Sequence, residues 1–270
     1  LKPAALLRNY RDLGLMLAAQ NQAREHGWYA IKNAAGEADV YIYGVIGGSF
    51  FDEGVDAKQF VQEFRDLRAD KIIVRVNSPG GNVDDAVAIH NAIRDRADIT
   101  ETHIEGHALS AASWVGLAAN RMVMRPHSRL MIHEVHGVVL GAPDDLRKYA
   151  DVFDGLGNDI ADALAEKAGG TRDEWRERMR AETWYGDQEA VDAGLADEVS
   201  GAASSENTFD LSILEIFKNA PKGAKPRKRA PNKTNKDGPE GASLQGPNEE
   251  LVRAHLRYQR DKSRRLGVAV

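Results

Sequence analysis

Strand-length apolar runs alternate with helix-length amphipathic runs through the middle of this chain, and no other feature constrains the fold as strongly. Residues 71–77 (Lys-Ile-Ile-Val-Arg-Val-Asn) form a short apolar run that stops at Ser78-Pro-Gly-Gly81. Residues 83–96 have a helical period, with Ala86, Val87, Ile89 and Ile93 on the inward side, and residues 100–105 read again as a strand. Upstream, residues 28–32 and 38–46 alternate apolar and polar and are rich in aromatic and β-branched types, until Gly47-Gly48 breaks the pattern. Between them and the next strand, residues 56–68 place Ala57, Phe60, Val61, Phe64 and Leu67 at helical spacing. Strand, helix, strand, helix at this spacing predicts βαβ units and an α/β fold with a mostly parallel sheet.

The run from Ala108 to Ala119 is apolar and built of small residues. A membrane span needs about 20 apolar residues, so this shorter run predicts a buried helix with Ser110 in its first turn. Free backbone N–H groups and the positive end of the helix dipole collect there, where they can stabilise negative charge developing on a substrate oxygen. Further strands are expected at residues 121–124 and, after Pro126, at residues 129–133; residues 135–142, with Gly137 and Gly141, read as a β-extension. A long helix over residues 144–167 is closed by Gly169-Gly170. Thr171 then caps a helix over residues 172–180, with Glu174 completing a capping box. Thr183-Trp-Tyr leads into a helix over residues 187–194 and a closing strand over residues 195–199.

This pattern divides the chain into an amphipathic N-terminal helix (1–25), an α/β body (26–200), a flexible linker (201–248) and a basic terminal helix (249–270). The linker follows from composition: residues 221–248 are rich in Pro, Gly, Lys and Asn and offer too little apolar surface to offset ordering entropy. A short apolar element at residues 211–217 has no evident place in the body. The net charge of -5 conceals an asymmetry, because residues 218–270 hold fourteen Lys/Arg against five Asp/Glu while the rest holds 22 against 36. An acidic body with a basic tail implies that the tail has its own partner or its own solvation role. There is no cysteine, which excludes disulfides and thiolate metal sites. No leader pattern and no long apolar stretch is seen, so a non-secreted protein without a membrane span is expected.

Nucleophilic serine chemistry requires a hydroxyl, a base, an orienting acid and oxyanion donors. The chain offers a candidate for each at the end of a predicted element, where α/β folds place their sites. Ser110 lies at a helix start, and Ser113 one turn later repeats its Ala-Ala-Ser neighbourhood. His133 ends a strand, Gly80 and Gly81 form a turn that brings backbone N–H groups close to a ligand, and Glu182 precedes an aromatic pair. The lipase-type G-x-S-x-G is absent, and with eight histidines the spacing leaves the base open. His133-Glu-Val-His136 lacks the H-E-x-x-H spacing of zinc peptidases, so no metal is expected.

Four segments together, Asn77-Ser-Pro-Gly-Gly, Gly106-His-Ala-Leu-Ser, Leu130-Met-Ile-His and Glu182-Thr-Trp with the following Glu189-Ala-Val and Gly194-Leu-Ala-Asp, resemble the Clp-type serine peptidases. The resemblance runs from about residue 28 to residue 199 and extends to the Clp-related head-maturation (prohead) proteases of tailed bacteriophages. It implies a Clp/crotonase-like fold of repeated ββα units. It also implies Ser110 as nucleophile, His133 as base, Glu182 as the acid, and the N–H groups of Gly80 and Ala111 as the oxyanion hole, with Gly81 and Val135 beside the bound peptide. The family usually carries Asp where Glu182 stands, and Asp187 is the alternative acid. Residues 135–142 would correspond to the family's handle, or else to a surface hairpin.

The same resemblance implies a serine endopeptidase without cofactor that cuts capsid or scaffold polypeptides, and its own chain as a further target, inside the assembling prohead in the host cytoplasm. A homo-oligomer is expected by analogy. The alternatives are a cellular Clp-type peptidase fed by an ATP-driven unfoldase, or an assembly protein whose peptidase body is secondary. A crotonase-type acyl-CoA enzyme would share the sheet and oxyanion logic without needing the Ser/His pair. Lys225-Pro-Arg-Lys-Arg229 would attract phosphates, but no aromatic residues interleave it, so nucleic acid is not an expected partner.

Overall fold

A computed structural model describes residues 29–34, 36–47, 57–137, 139–201, 214 and 216–221. The expected N-terminal helix, most of the linker and the basic terminal helix lie outside these residues.

The alternating pattern builds the sheet. Strands β1 (Tyr29–Ala34) and β2 (Glu37–Tyr43) form an antiparallel hairpin, and β2 then pairs in parallel with β3 (Lys71–Ser78). Beyond β3 the parallel order continues through β4 (Thr100–Leu109) and β5 (Arg121–Met124) to β8 (Glu198–Val199). Ala38, Val40 and Ile42 of β2, with Ile72, Val74 and Val76 of β3, point into one core. Helices α1 (Ala57–Asp66) and α2 (Val83–Arg94) cover that face, with Phe60, Phe64, Ile89 and Ile93 fully buried. The Phe60 and Phe64 rings stack at 5.7 Å, and Tyr29 meets Phe60 edge-on. On the other face the register sets Arg75 between Asp39 and Glu105, each at 2.7 Å.

Two expectations are corrected. The small-residue run is not one helix from Ala108 to Ala119: β4 continues through Ala108 and Leu109, and the helix α3 is only Ala111–Gly116. Ala108 and Leu109 are claimed by strand pairing with Leu130 and Met131 of β6 (Arg129–Ile132). A six-residue helix supplies little macrodipole, so individual backbone N–H groups are what it offers the site. The β-extension is also not seen at residues 135–137 and 139–142, for which the described residues offer no partner strand to complete a ladder.

After this stretch come α4 (Pro143–Ala168), α5 (Arg172–Arg180), β7 (Thr183–Gly186) and α6 (Asp187–Asp192). The expected capping box closes, with Thr171 N–H donating to Glu174 Oε2 at 2.8 Å and Glu174 N–H to Thr171 Oγ1 at 3.3 Å. Arg176 of α5 is buried and bonds both Asp154 of α4 and Glu134, which ties the helical pair to the residue after His133. Among the described residues no helix is long and apolar enough to cross a membrane.

Because Phe60 fills the centre of the layer between α1 and the sheet, Phe60→Ala should cost about 3–5 kcal/mol of stability. The urea midpoint of unfolding reads this directly.

Candidate active site

The site begins where β4 changes partner. Its first half pairs with β5 through Glu101–Ile104 positions, and its second half, from His107 to Leu109, pairs with β6. Gly106 stands between the two halves, and a side chain there would press on Asn77 Oδ1 at 2.8 Å. That buried Asn77 oxygen accepts the His107 backbone N–H at 3.1 Å, which is the local contact His107 makes beside the site.

The β4–β6 ladder continues one residue past the strand, because Ser110 N–H donates to Met131 O at 2.9 Å. Ser110 then turns the chain into α3 with φ 55 and ψ -129, a conformation that costs a non-glycine residue about 1–3 kcal/mol. The turn is held by Ser113, whose N–H and Oγ–H both donate to Ser110 O, at 2.9 and 2.6 Å. Ser113 is therefore buried and occupied with the backbone of its neighbour. Trp114 is buried and lines the same cavity as Ser110.

His133 follows β6 directly, two residues after Met131. Its Nε2 lies 2.5 Å from Ser110 Oγ. Burial, then the neighbouring His136 and Lys218, push its pKa down to about 3. The ring is thus neutral near pH 7, and the serine hydroxyl donates to Nε2, which leaves the N–H on Nδ1.

Gly80 closes the other side. Its φ of +96 suits glycine, and a side chain there would come within 2.7 Å of Leu109 O and 2.8 Å of Ser110 Cβ. The Gly80 N–H donates to Ser78 Oγ at 3.1 Å, and its carbonyl accepts from Ile46 N–H at 2.9 Å. Gly81 bridges to Ile46, whose carbonyl a side chain would strike. Gly80, Gly81, Ser110, Ala111, His133 and Val135 all line one cavity, so six of the seven expected site residues meet there and Glu182 does not.

Glu182 is buried, with φ 52, but it does not hold the imidazole. Its Oε1 accepts Asn219 N–H at 2.6 Å and Trp184 Nε1–H at 3.2 Å, while Oε2 accepts Lys218 N–H at 2.7 Å. Among the described residues no hydrogen bond joins it to His133. Asp187 is not brought in either. It accepts the His127 and Gln188 backbone N–H groups at 2.6 and 2.8 Å, and these hold its carboxyl below the usual carboxylate range.

The residues that sequence reasoning missed are Phe217, Lys218 and Asn219. Phe217 is buried edge-on to both His133 and Trp184, with ring centroids 5.6 and 5.8 Å apart. Only Phe217 had a sequence signal, as the end of the apolar element at residues 211–217, which had no place in the α/β pattern.

A model of the Clp protease family matches residues 36–203. Among similar proteins are the ATP-dependent Clp protease proteolytic subunit 1 of Chlamydia abortus and subunit 2 of Chlamydia trachomatis. The first is 30% identical over 161 residues, which is 56% of this chain and 84% of the relative. The second is 31% identical over 145 residues, covering 53% and 70%. Subunit 1 of Protochlamydia amoebophila is 33% identical over 132 residues, covering 47% and 64%.

Two outcomes follow from this geometry. The strained turn makes Ser110→Gly more stable than Ser110→Ala by about 1 kcal/mol in urea unfolding, since glycine adopts positive φ without the Cβ penalty. The second concerns His133, whose ordinary pKa of 6.5 falls to about 3 on folding. Stability contributed by the neutral ring is complete above the unfolded value and is lost as pH falls toward the folded one. Between about pH 7 and pH 4 the wild-type urea midpoint should therefore drop further than that of His133→Gln.

Proposed function

Because the chain belongs to the Clp protease family, we propose that it is a serine endopeptidase in which Ser110 is the nucleophile and His133 the base. The observation that carries the reading is the 2.5 Å contact between His133 Nε2 and Ser110 Oγ. Ser110 Oγ attacks the peptide carbonyl carbon as its proton passes to His133 Nε2, and the carbonyl oxygen becomes an oxyanion. The N–H groups of Gly80 and Ala111, two residues of the cavity wall, receive that charge once Gly80 N–H gives up its bond to Ser78 Oγ. The C–N bond then breaks as His133 returns the proton to the departing amine, and water hydrolyses the acyl-serine by the same route in reverse. Glu182 is the acid that orients Nδ1–H in the working arrangement. Gly81 and Val135 flank the substrate strand.

The substrates in this proposal are capsid or scaffold polypeptides of a phage prohead. Its support is the set of motifs shared with head-maturation proteases, together with a basic tail that begins beyond the family match at residue 203. The cellular reading, a peptidase paired with an ATP-driven unfoldase, has the names of the relatives in its favour. Either reading calls for an oligomer. Leu140, Leu146, Tyr149 and Val152, on and just before the first half of α4, are 67%, 43%, 50% and 54% exposed and suit subunit contact.

Ser110→Ala and His133→Ala should each lower peptide hydrolysis by at least about 10⁴-fold while the far-ultraviolet circular dichroism stays unchanged. Co-expression with a phage capsid precursor separates the two substrate readings. Ser110-dependent trimming of the precursor supports the prohead role. An untrimmed precursor beside a co-purifying ATPase overturns it in favour of the cellular one.

A further inference from the structure

The segment made of Leu214 and residues 216–221 lies against the candidate site although it is separated from Glu182 by more than thirty residues. Its backbone takes both oxygens of the Glu182 carboxylate, through Lys218 N–H and Asn219 N–H. Asn219 Nδ2 adds a bond to Ala181 O at 2.7 Å, so the turn also holds the backbone just before the carboxylate. Phe217 fills the space between His133 and Trp184. Leu214 and Phe217 also close a separate apolar cluster over Leu109 and Met131, the residues of β4 and β6 that set the serine–histidine register. Ile216 and Phe217 are wall residues of the cavity onto which Ser110 opens.

A catalytic carboxylate bound by two successive backbone N–H groups is a filled anion site. In this arrangement the carboxylate is turned to the segment and to the Trp184 indole, with no hydrogen bond to His133 among the described residues, and the ring of Phe217 takes up apolar surface next to the base. The segment is also foreign to the matched family region, which ends at residue 203. Its side chains at Lys218 and Asn219 are exposed, so apart from Asn219 Nδ2 its polar grip on the site is through backbone N–H groups.

We infer that Leu214 and residues 216–221 form a displaceable intramolecular plug, which holds the enzyme off by taking the Glu182 carboxylate from His133 and seating Phe217 beside the base. The inference rests on the peptidase reading above. Release of the plug frees the carboxylate to turn to His133 and opens the apolar wall over Leu109, Met131 and Trp184 to a substrate segment. That wall accepts an aliphatic or aromatic side chain, as the plug's own residues demonstrate.

The test uses the 270-residue chain with Phe217→Ala, Asn219→Pro and the conservative Phe217→Leu. Asn219→Pro removes one N–H donor to Glu182, and none of these residues is assigned a chemical role. Two readings are taken: amide hydrogen exchange of the peptide covering residues 214–221, and the rate at which an alkyl fluorophosphonate labels Ser110, with Ser110→Ala as the blank. The wild type should show a protected segment and slow labelling. Phe217→Ala and Asn219→Pro should lose protection and label at least tenfold faster, and Phe217→Leu should stay close to wild type. An unprotected segment in the wild type overturns the inference, and so do variants that lose protection yet label at the wild-type rate. In the latter case the serine-peptidase reading survives. If protection is lost and Ser110 is labelled in no variant, the peptidase reading itself fails and takes the plug with it.

Discussion

Everything at the site depends on the parallel register that seats the end of β4 against β6. Leu109 pairs with Met131, and the next ladder bond runs from Ser110 N–H to Met131 O. Since His133 follows Met131 by two residues, the backbone ladder itself brings hydroxyl and imidazole within 2.5 Å. A slip of one residue would exchange the faces of every side chain on β6 and separate the pair. The register in turn depends on β4 leaving β5 for β6 near Gly106, where the buried Asn77 amide occupies the place of a side chain. Gly80 completes the corner from the β3 side, pressed so close to Ser110 that only a hydrogen fits.

Much of this was legible in the sequence, for reasons that can be named. The runs that became β3 and α2 are long enough for a period to emerge, so residues 71–77 and 83–96 predicted elements that differ from the observed ones only at their ends. The boundary between β4 and α3 was not legible. Ala-Leu-Ser-Ala-Ala-Ser is apolar or small at every position, and a run with no alternation does not separate strand from helix. Pairing with β6, a contact across more than twenty residues, decides it instead. Residues 135–142 failed the other way: their composition suits a strand, but a strand exists only with a partner. Ser110, His133 and Gly80 were singled out through the motifs that carry them, and the fold brings these three to one cavity. The partners of Glu182 had no signature to find, because Lys218 and Asn219 act through backbone N–H groups that every residue but proline possesses.

The buried carboxylate explains why such a segment can hold so small a grip and still matter. Glu182 is almost fully shielded from water, and a shielded charge needs hydrogen-bond donors wherever it can find them. Two backbone N–H groups and an indole N–H meet that need in the resting chain. The competing donor is the Nδ1–H of an imidazole that burial keeps neutral, and a neutral donor attracts a carboxylate less than a charged one. The balance changes during the reaction proposed for this site. Once His133 has taken the Ser110 proton it is an imidazolium, and its pull on the carboxylate is then at its strongest. In the proposed mechanism the plug thus opposes the charged intermediate more than the resting state, which is where withholding an acid would slow hydrolysis most. On this proposal a substrate that displaces Phe217 from the apolar wall lowers the hold of the same segment on Glu182, so binding of substrate and recovery of the acid are coupled through a few residues of chain.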